Sequence, residues 1–179
     1  MKSPKRASAL ALLAVVLALA GCGGGGGSSS ATTAKAPGTE PQQGGEASIE
    51  GFGSEASGAE REAILTSFEG YLNAIAQRDY PTACSHLSAN VQSSLEQLVV
   101  KSLKGKGCAV ILPKLLSPSA PQTAREQAEG KVAKVRFEGE RGFVVFHAPG
   151  AKLYQQTMQR EGGEWKVASV AASVLVPEL

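Results

Sequence analysis

Between residues 23 and 57 the chain carries only two sizeable apolar side chains, Ile49 and Phe52, in a background made mostly of Gly, Ser, Thr, Ala, Pro, Gln and Glu. Such a stretch buries too little surface to offset the entropy lost on ordering, so a disordered tether is expected over residues 22–57. Treated as a Gly-rich coil of about 35 residues, it spans on the order of 30 Å. A hydrophobic core is thereby confined to residues 58–179, enough for one domain and too few for two comfortable ones. No internal repeat divides that segment.

Ahead of the tether, Lys2, Lys5 and Arg6 precede an apolar, Ala-rich run over residues 7–20. The run is too short for a permanent membrane span, and the order of charge then apolar segment is that of a secretory signal peptide over residues 1–21. It closes on Leu19-Ala20-Gly21-Cys22, which resembles the bacterial lipobox. The resemblance implies cleavage before Cys22 and a lipidated cysteine carrying two or three acyl chains, palmitate among them. At about 0.8 kcal/mol per buried methylene these would hold the chain firmly on a membrane without crossing it. An ordinary cleaved signal with an incidental cysteine is the alternative. The expected location is the extracytoplasmic side of a cell membrane, in the cell envelope.

Removing the leader alters the charge balance. Of 18 Lys+Arg, three lie in the leader, which leaves 15 against 16 Asp+Glu, or a net charge near −1. A nearly neutral exported chain offers no electrostatic case for nucleic acid as a partner.

The folded part changes period halfway along. In "SGAEREAILTSFEGYLNAIAQRD", Ser57 and Glu60 have capping-box spacing, and Ile64, Leu65, Phe68, Tyr71, Leu72 and Ile75 recur at helical intervals. Pro81 suits the first turn of a short second helix with Ala83, Cys84 and Leu87 inward. A third helix starts on Ser88 and carries Val91, Leu95, Leu98 and Val99 until the glycines of "KSLKGKG" end it. From Lys131 onward the sequence is rich in Val, Phe and Thr and punctuated by Gly139, Gly150 and Gly162-Gly163, the last pair fitting a two-residue hairpin. About four antiparallel strands follow, with Ala133, Val135 and Phe137 on one face and Val132, Lys134 and Arg136 on the other. The expected class is α+β, helices packed on one face of an antiparallel meander.

A first helix ending "YLNAIAQRDYPTACSHLS", a turn-rich middle, and strands closing on "QREGGEWKVAS" resemble the nuclear transport factor 2-like superfamily, which contains ketosteroid isomerase and polyketide cyclases. The resemblance implies a bent sheet wrapped with the helices into a cone around a cavity. It also implies an open sheet face of the kind that serves for homodimers.

Once Cys22 is assigned to lipid, Cys84 and Cys108 remain for each other, and in an oxidising compartment a disulfide is the default. It would close a loop of 25 residues counted inclusively and stabilise by about 3 kcal/mol. The alternative is a Cys84 thiolate activated by His86, which requires a free thiol and an orienting partner.

Chemistry is sparse. The two histidines, His86 and His147, stand in no HExxH motif and beside no CxxC, so neither metal nor cofactor is expected. The resemblance to ketosteroid isomerase places Tyr71 as an oxyanion donor, but "CSHLSANVQSSL" supplies no carboxylate base. His147, at the end of "GFVVFHAPG", is the one conceivable base facing the cavity, with a hydrogen-bonded structural histidine as the alternative. Lys101, Lys104 and Lys106 form a basic cluster, read as a solvated loop with a soft preference for anionic headgroups. The leading expectation is a non-catalytic module of the envelope that binds a ligand or another envelope protein. The runner-up is a small isomerase or dehydratase acting on a small apolar ligand in the cone, with Tyr71 as donor and His147 as base.

Overall fold

The apolar stripe of the first helix sets the layering of the fold. In the computed structural model, which describes residues 49–150 and 152–175, α1 (Gly58–Gln77) buries Ile64, Phe68, Tyr71, Leu72 and Ile75, and Leu65 packs at the margin of the same core. The start of α1 departs from the expected capping box. Ser57 occupies the N-cap position, but its side chain caps no N–H, and Glu60 instead accepts the Trp165 indole N–H at 2.5 Å. A charged hydrogen bond to the sheet has displaced a reciprocal bond within the helix.

α2 (Tyr80–His86) begins as expected, with Pro81 in its first turn and the Asp79 carboxylate accepting the Thr82 N–H at 3.2 Å. α3 (Ala89–Leu98) begins on Ser88, whose hydroxyl accepts the Val91 N–H at 3.3 Å. It ends before the glycines, because the backbone turns extended at Val99 and a 3-10 turn spans Lys101–Leu103. Val99, expected on this helix, lies just past its end and stays buried, while Leu98 is 73% exposed. Two more helices, α4 (Cys108–Leu115) and α5 (Ala120–Ala128), follow where only turns were expected. α4 is only eight residues long, apolar nearly throughout and carries Pro113, which reads as a breaker, while α5 buries only Ala124 and lacks the apolar stripe that announces a helix.

The sheet is an antiparallel path β1 (Ser54–Glu55), β2 (Lys131–Glu138), β3 (Arg141–His147), β4 (Leu153–Glu161), β5 (Glu164–Val167), with β6 (Ser173–Val174) also paired to β4. The four long strands match expectation, and the two short ones raise the count to six. Gly162 and Gly163, at φ 59° and 90°, make the predicted two-residue turn between β4 and β5. Positive φ at both central residues is what a type I′ hairpin demands. The outer edge of β4 is shared: β5 pairs with residues 158–161 and β6 with 154–155, while the chain between them leaves the sheet. The buried Gln156 amide donates to Ser169 O at 3.0 Å and to Ser169 Oγ at 2.7 Å across that gap.

The alternation expected along β2 is broken at one point. Val132 pairs with Phe146 and Lys134 with Val145, leaving Ala133 as the extra residue of a β-bulge. Val132 therefore joins Val135 and Phe137 against the helices, and Ala133 faces away with Lys134. On the helix side, Val135, Val144, Phe146, Met158 and Val167 close one core with the five helices. On the far side Val145 packs with Ile49 and Leu175.

That second cluster moves the boundary expected at residue 57. Residues 49–57 lie against the sheet: Ile49 and Ala56 are buried, Phe52 meets Phe143 edge to face at 4.8 Å between ring centres, and Arg136 donates to the carbonyls of Phe52 and Gly53. Ile49 and Phe52 are the two apolar side chains of the tract, and they are the ones that fasten its end. The rest of the tether, the leader and the lipobox lie outside the described residues.

Candidate functional site

The described residues singled out from sequence fall in three separate places: Cys84 with Cys108, Tyr71, and His147. Cys22 lies outside the described residues. Cys84 and Cys108 are bonded to each other, with Cα atoms 6.0 Å apart, and the bridge ties α2 to the first turn of α4. No Cys84 thiolate is then present for His86 to activate.

Tyr71 sits in the core between α1 and the sheet, 2% exposed, and its hydroxyl donates to Val170 O at 2.7 Å. Burial pushes its phenol well above the ordinary value. Together with Gln156, Tyr71 holds the 168–172 excursion between β5 and β6. His147 lies across the sheet from Tyr71, exposed at the end of β3 beside Ala133, Val145, Leu153 and Leu175. The groove there holds only about 70 Å³. Tyr71 faces the helices and His147 faces the opposite side, so the structure does not bring the expected donor and base together. The proton of Tyr71 is already committed to a backbone carbonyl.

An open cleft of about 680 Å³ lies elsewhere, between the first half of α1, the end of α2 and the β4–β5 hairpin. The Gly162-Gly163 turn brings β5 back beside α1, so Trp165 and Lys166 form one wall and Glu62, Thr66 and Ser67 the other. Trp165 is fixed by its bond to Glu60 and by the Arg160 guanidinium 5.9 Å above its ring, and Arg160 in turn lies 3.5 Å from Glu60. Gly142 on β3 makes room for the indole, since a Cβ there would stand 3.1 Å from it.

His86 closes the end of the cleft. Its ring rests on Gly70, where any Cβ would come within 2.6 Å of the imidazole, so this contact requires glycine on α1. Burial, and next the nearby Lys166, hold the His86 imidazole below its ordinary value. Lys166 donates to Ser85 O at 3.1 Å and to the Glu164 carboxylate at 2.8 Å. Ser67 also lines the cleft, but its hydroxyl oxygen is closed off from solvent and has no hydrogen-bond partner among the described residues. A buried hydroxyl left unpaired costs about 1–3 kcal/mol, so a cleft occupant that bonded it after the side chain turned outward would recover that cost.

Ser67, His86 and Lys166 are local to three different elements, and no spacing in the sequence joins them. The one sequence signal at hand was the Gly162-Gly163 turn, which fixes where β5 returns. Among the described residues no group of three or more His, Cys, Asp or Glu side chains gathers as a metal site would require. Nor is any helix among them long and apolar enough to cross a membrane. Among the described residues the fold and cleft define an α+β domain, five helices of seven or more residues on one face of a six-stranded antiparallel sheet, closed by a disulfide. No family model, no curated protein and no solved structure matches the chain.

Proposed function

We propose that this chain is a lipid-anchored module of the cell envelope that binds a small polar ligand, without transforming it, in the cleft between α1, α2 and β5. The observation that carries the reading is the open cleft of about 680 Å³ itself, where the His86 imidazole and the Lys166 ammonium, held by Ser85 and Glu164, stand across from Glu62, Thr66 and Ser67. Polar groups placed on a concave, partly apolar wall orient a ligand. Nothing in the cleft pairs a nucleophile with a base by a hydrogen bond, which favours binding over catalysis.

Export is supported by the Cys84–Cys108 bridge, since such bonds persist in oxidising compartments, and by the lipobox-like stretch ending at Cys22. A nuclear transport factor 2-like fold is supported by the order of elements, helices first and then an antiparallel meander with the helices on one face. If that likeness holds, the ligand site differs from the cone interior, which here is filled by Phe68, Tyr71 and Phe146.

The test is the native, non-reducing mass of the chain extracted from its own envelope, for the natural sequence and for Ser67→Val. A retained small molecule that the variant loses supports the reading. A bare chain in both cases overturns it and leaves a surface acting through protein contacts.

A further inference from the structure

One corner of the helical layer is built unlike the rest of the surface. From Gln97 to Arg125 the chain contains no Asp or Glu, and within that segment Lys101, Lys104, Lys106 and Lys114 are all exposed. None of the four joins an ion pair among the described residues. Among the described residues, the same segment holds four of the five large apolar side chains that stand exposed: Leu98 at 73%, Val100 at 68%, Val110 at 46% and Leu115 at 42%. The nearest acid, Glu96, is used inward, its two carboxylate oxygens accepting the N–H groups of Gly105 at 2.8 Å and Gly107 at 3.1 Å. That folds the lysine loop back against α3, and the disulfide pins the next residue, Cys108, to α2. Leu103, half-buried, roots the 3-10 turn in the core.

The corner is therefore a fixed surface of apolar knobs among unpaired ammonium groups. Water solvates one component well and the other poorly, whereas the interface of an anionic bilayer accommodates both: acyl chains take the apolar tips and headgroups the charges. The lysine stems add apolar length while their heads stay at the phosphates. We infer that this surface, formed by Leu98, Val100, Lys101, Lys104, Lys106 and the exposed side of α4, docks on an anionic phospholipid bilayer. Each lysine brought to such a surface raises partitioning roughly fivefold at low salt. A lipid at the N-terminus, under the reading above, would hold the domain near the bilayer, and the corner then decides which way it lies.

The test uses the full chain on vesicles of phosphatidylglycerol and phosphatidylcholine at 3:7 and on pure phosphatidylcholine, with lysine acetylation of the vesicle-bound fraction read by mass spectrometry. Binding to neutral vesicles reports the N-terminal anchor, and protection of the four lysines reports the corner, so either can fail alone. The expected result is at least about fivefold slower acetylation of Lys101, Lys104, Lys106 and Lys114 on anionic vesicles only, reversed near 0.5 M salt, with Lys131 and Lys152 unchanged. Lys104→Glu with Lys106→Glu should abolish the protection of Lys101 and Lys114, and Leu98→Ser with Val100→Ser should reduce it, both with the disulfide intact by mass. Equal labelling on the two vesicle types overturns the inference, as does protection that appears only when an acidic protein is added.

Discussion

Breaking the Cys84–Cys108 bridge is the perturbation whose size the structure sets most directly. The two residues are 24 apart in sequence, and the loop they close contains all of α3 and the lysine-bearing turn. Closing a loop of that length removes denatured-state entropy corresponding to about 3 kcal/mol. Residues 49–175 make about 127 residues of fold, and at about 2.1 cal/mol/K each the unfolding entropy is near 0.27 kcal/mol/K. Loss of the bridge should then lower Tm by about 11 °C. The cleaner comparison is the natural chain oxidised and reduced, because Cys84→Ala also removes a buried sulfur and leaves a small cavity. Circular-dichroism melts with and without reductant give the shift. Urea titration should give a larger m-value for the reduced chain, whose denatured state is less restrained. Equal melting temperatures, within about 3 °C, would refute the loop-closure reasoning and mean that packing of α4 against α2 and α3 already restrains the same segment.

Four further outcomes are expected. Tyr71→Phe should cost about 1–2 kcal/mol in urea denaturation by leaving the Val170 carbonyl without its donor, and an unchanged midpoint would show that the 168–172 excursion is held by Gln156 alone. Glu60→Ala should shift the emission of Trp165, the sole tryptophan, to the red and cost about 1.5–3 kcal/mol, since the indole N–H loses a charged acceptor; an unmoved spectrum would place the anchoring elsewhere. Because burial and Lys166 hold the His86 imidazole low, the unfolded chain takes up its proton first as the pH falls. Stability from this group is therefore complete above about pH 6.5 and declines from there down to the lowered folded value, a decline that His86→Gln should flatten in urea midpoints read between pH 5 and 7. Gly70→Ala should gain up to about 1 kcal/mol of helix propensity yet displace the His86 ring, so proton NMR should show the imidazole titrating closer to 6.5 even where stability is unchanged.

The elements that sequence pattern reached are those whose residues obey a single period. α1 was legible because its stripe recurs at helical spacing for twenty residues, and the β4–β5 turn because two adjacent glycines suit positive φ. The elements it missed are short, carry a breaker residue or depart from a single period. α4 contains Pro113, α5 has almost no apolar face, and the bulge at Ala133 reverses the faces of Val132 and Ala133 in mid-strand. The tether's end failed for a related reason. Composition averaged over residues 23–57 hides the fact that Ile49 and Phe52 are enough to seat one short segment when Val145, Leu175 and Phe143 already offer a surface. Disorder is a property of the mean, and packing is a property of particular side chains.

The candidate site illustrates a deeper limit. Cys84 and Cys108 could be paired by counting, because compartment and number restrict the answer, and Tyr71 could be placed in the core by periodicity. Ser67 has nothing of the kind to mark it. It lies on α1 between Thr66 and the stripe residue Phe68, at the edge of the apolar face, where a serine reads as a boundary residue. It becomes notable only because the β4–β5 hairpin and the end of α2 meet α1 there, while its hydroxyl, closed off from solvent, has no partner among the described residues. Ser67→Ala should therefore leave the empty domain as stable or stabilise it by up to about 1 kcal/mol, by removing an unpaired polar group and improving helix propensity. A group retained at a cost to the free protein and repaid when a ligand bonds it is the energetic pattern of a binding residue, so a destabilised Ser67→Ala chain would argue that the hydroxyl is paired in solution and that the cleft is structural.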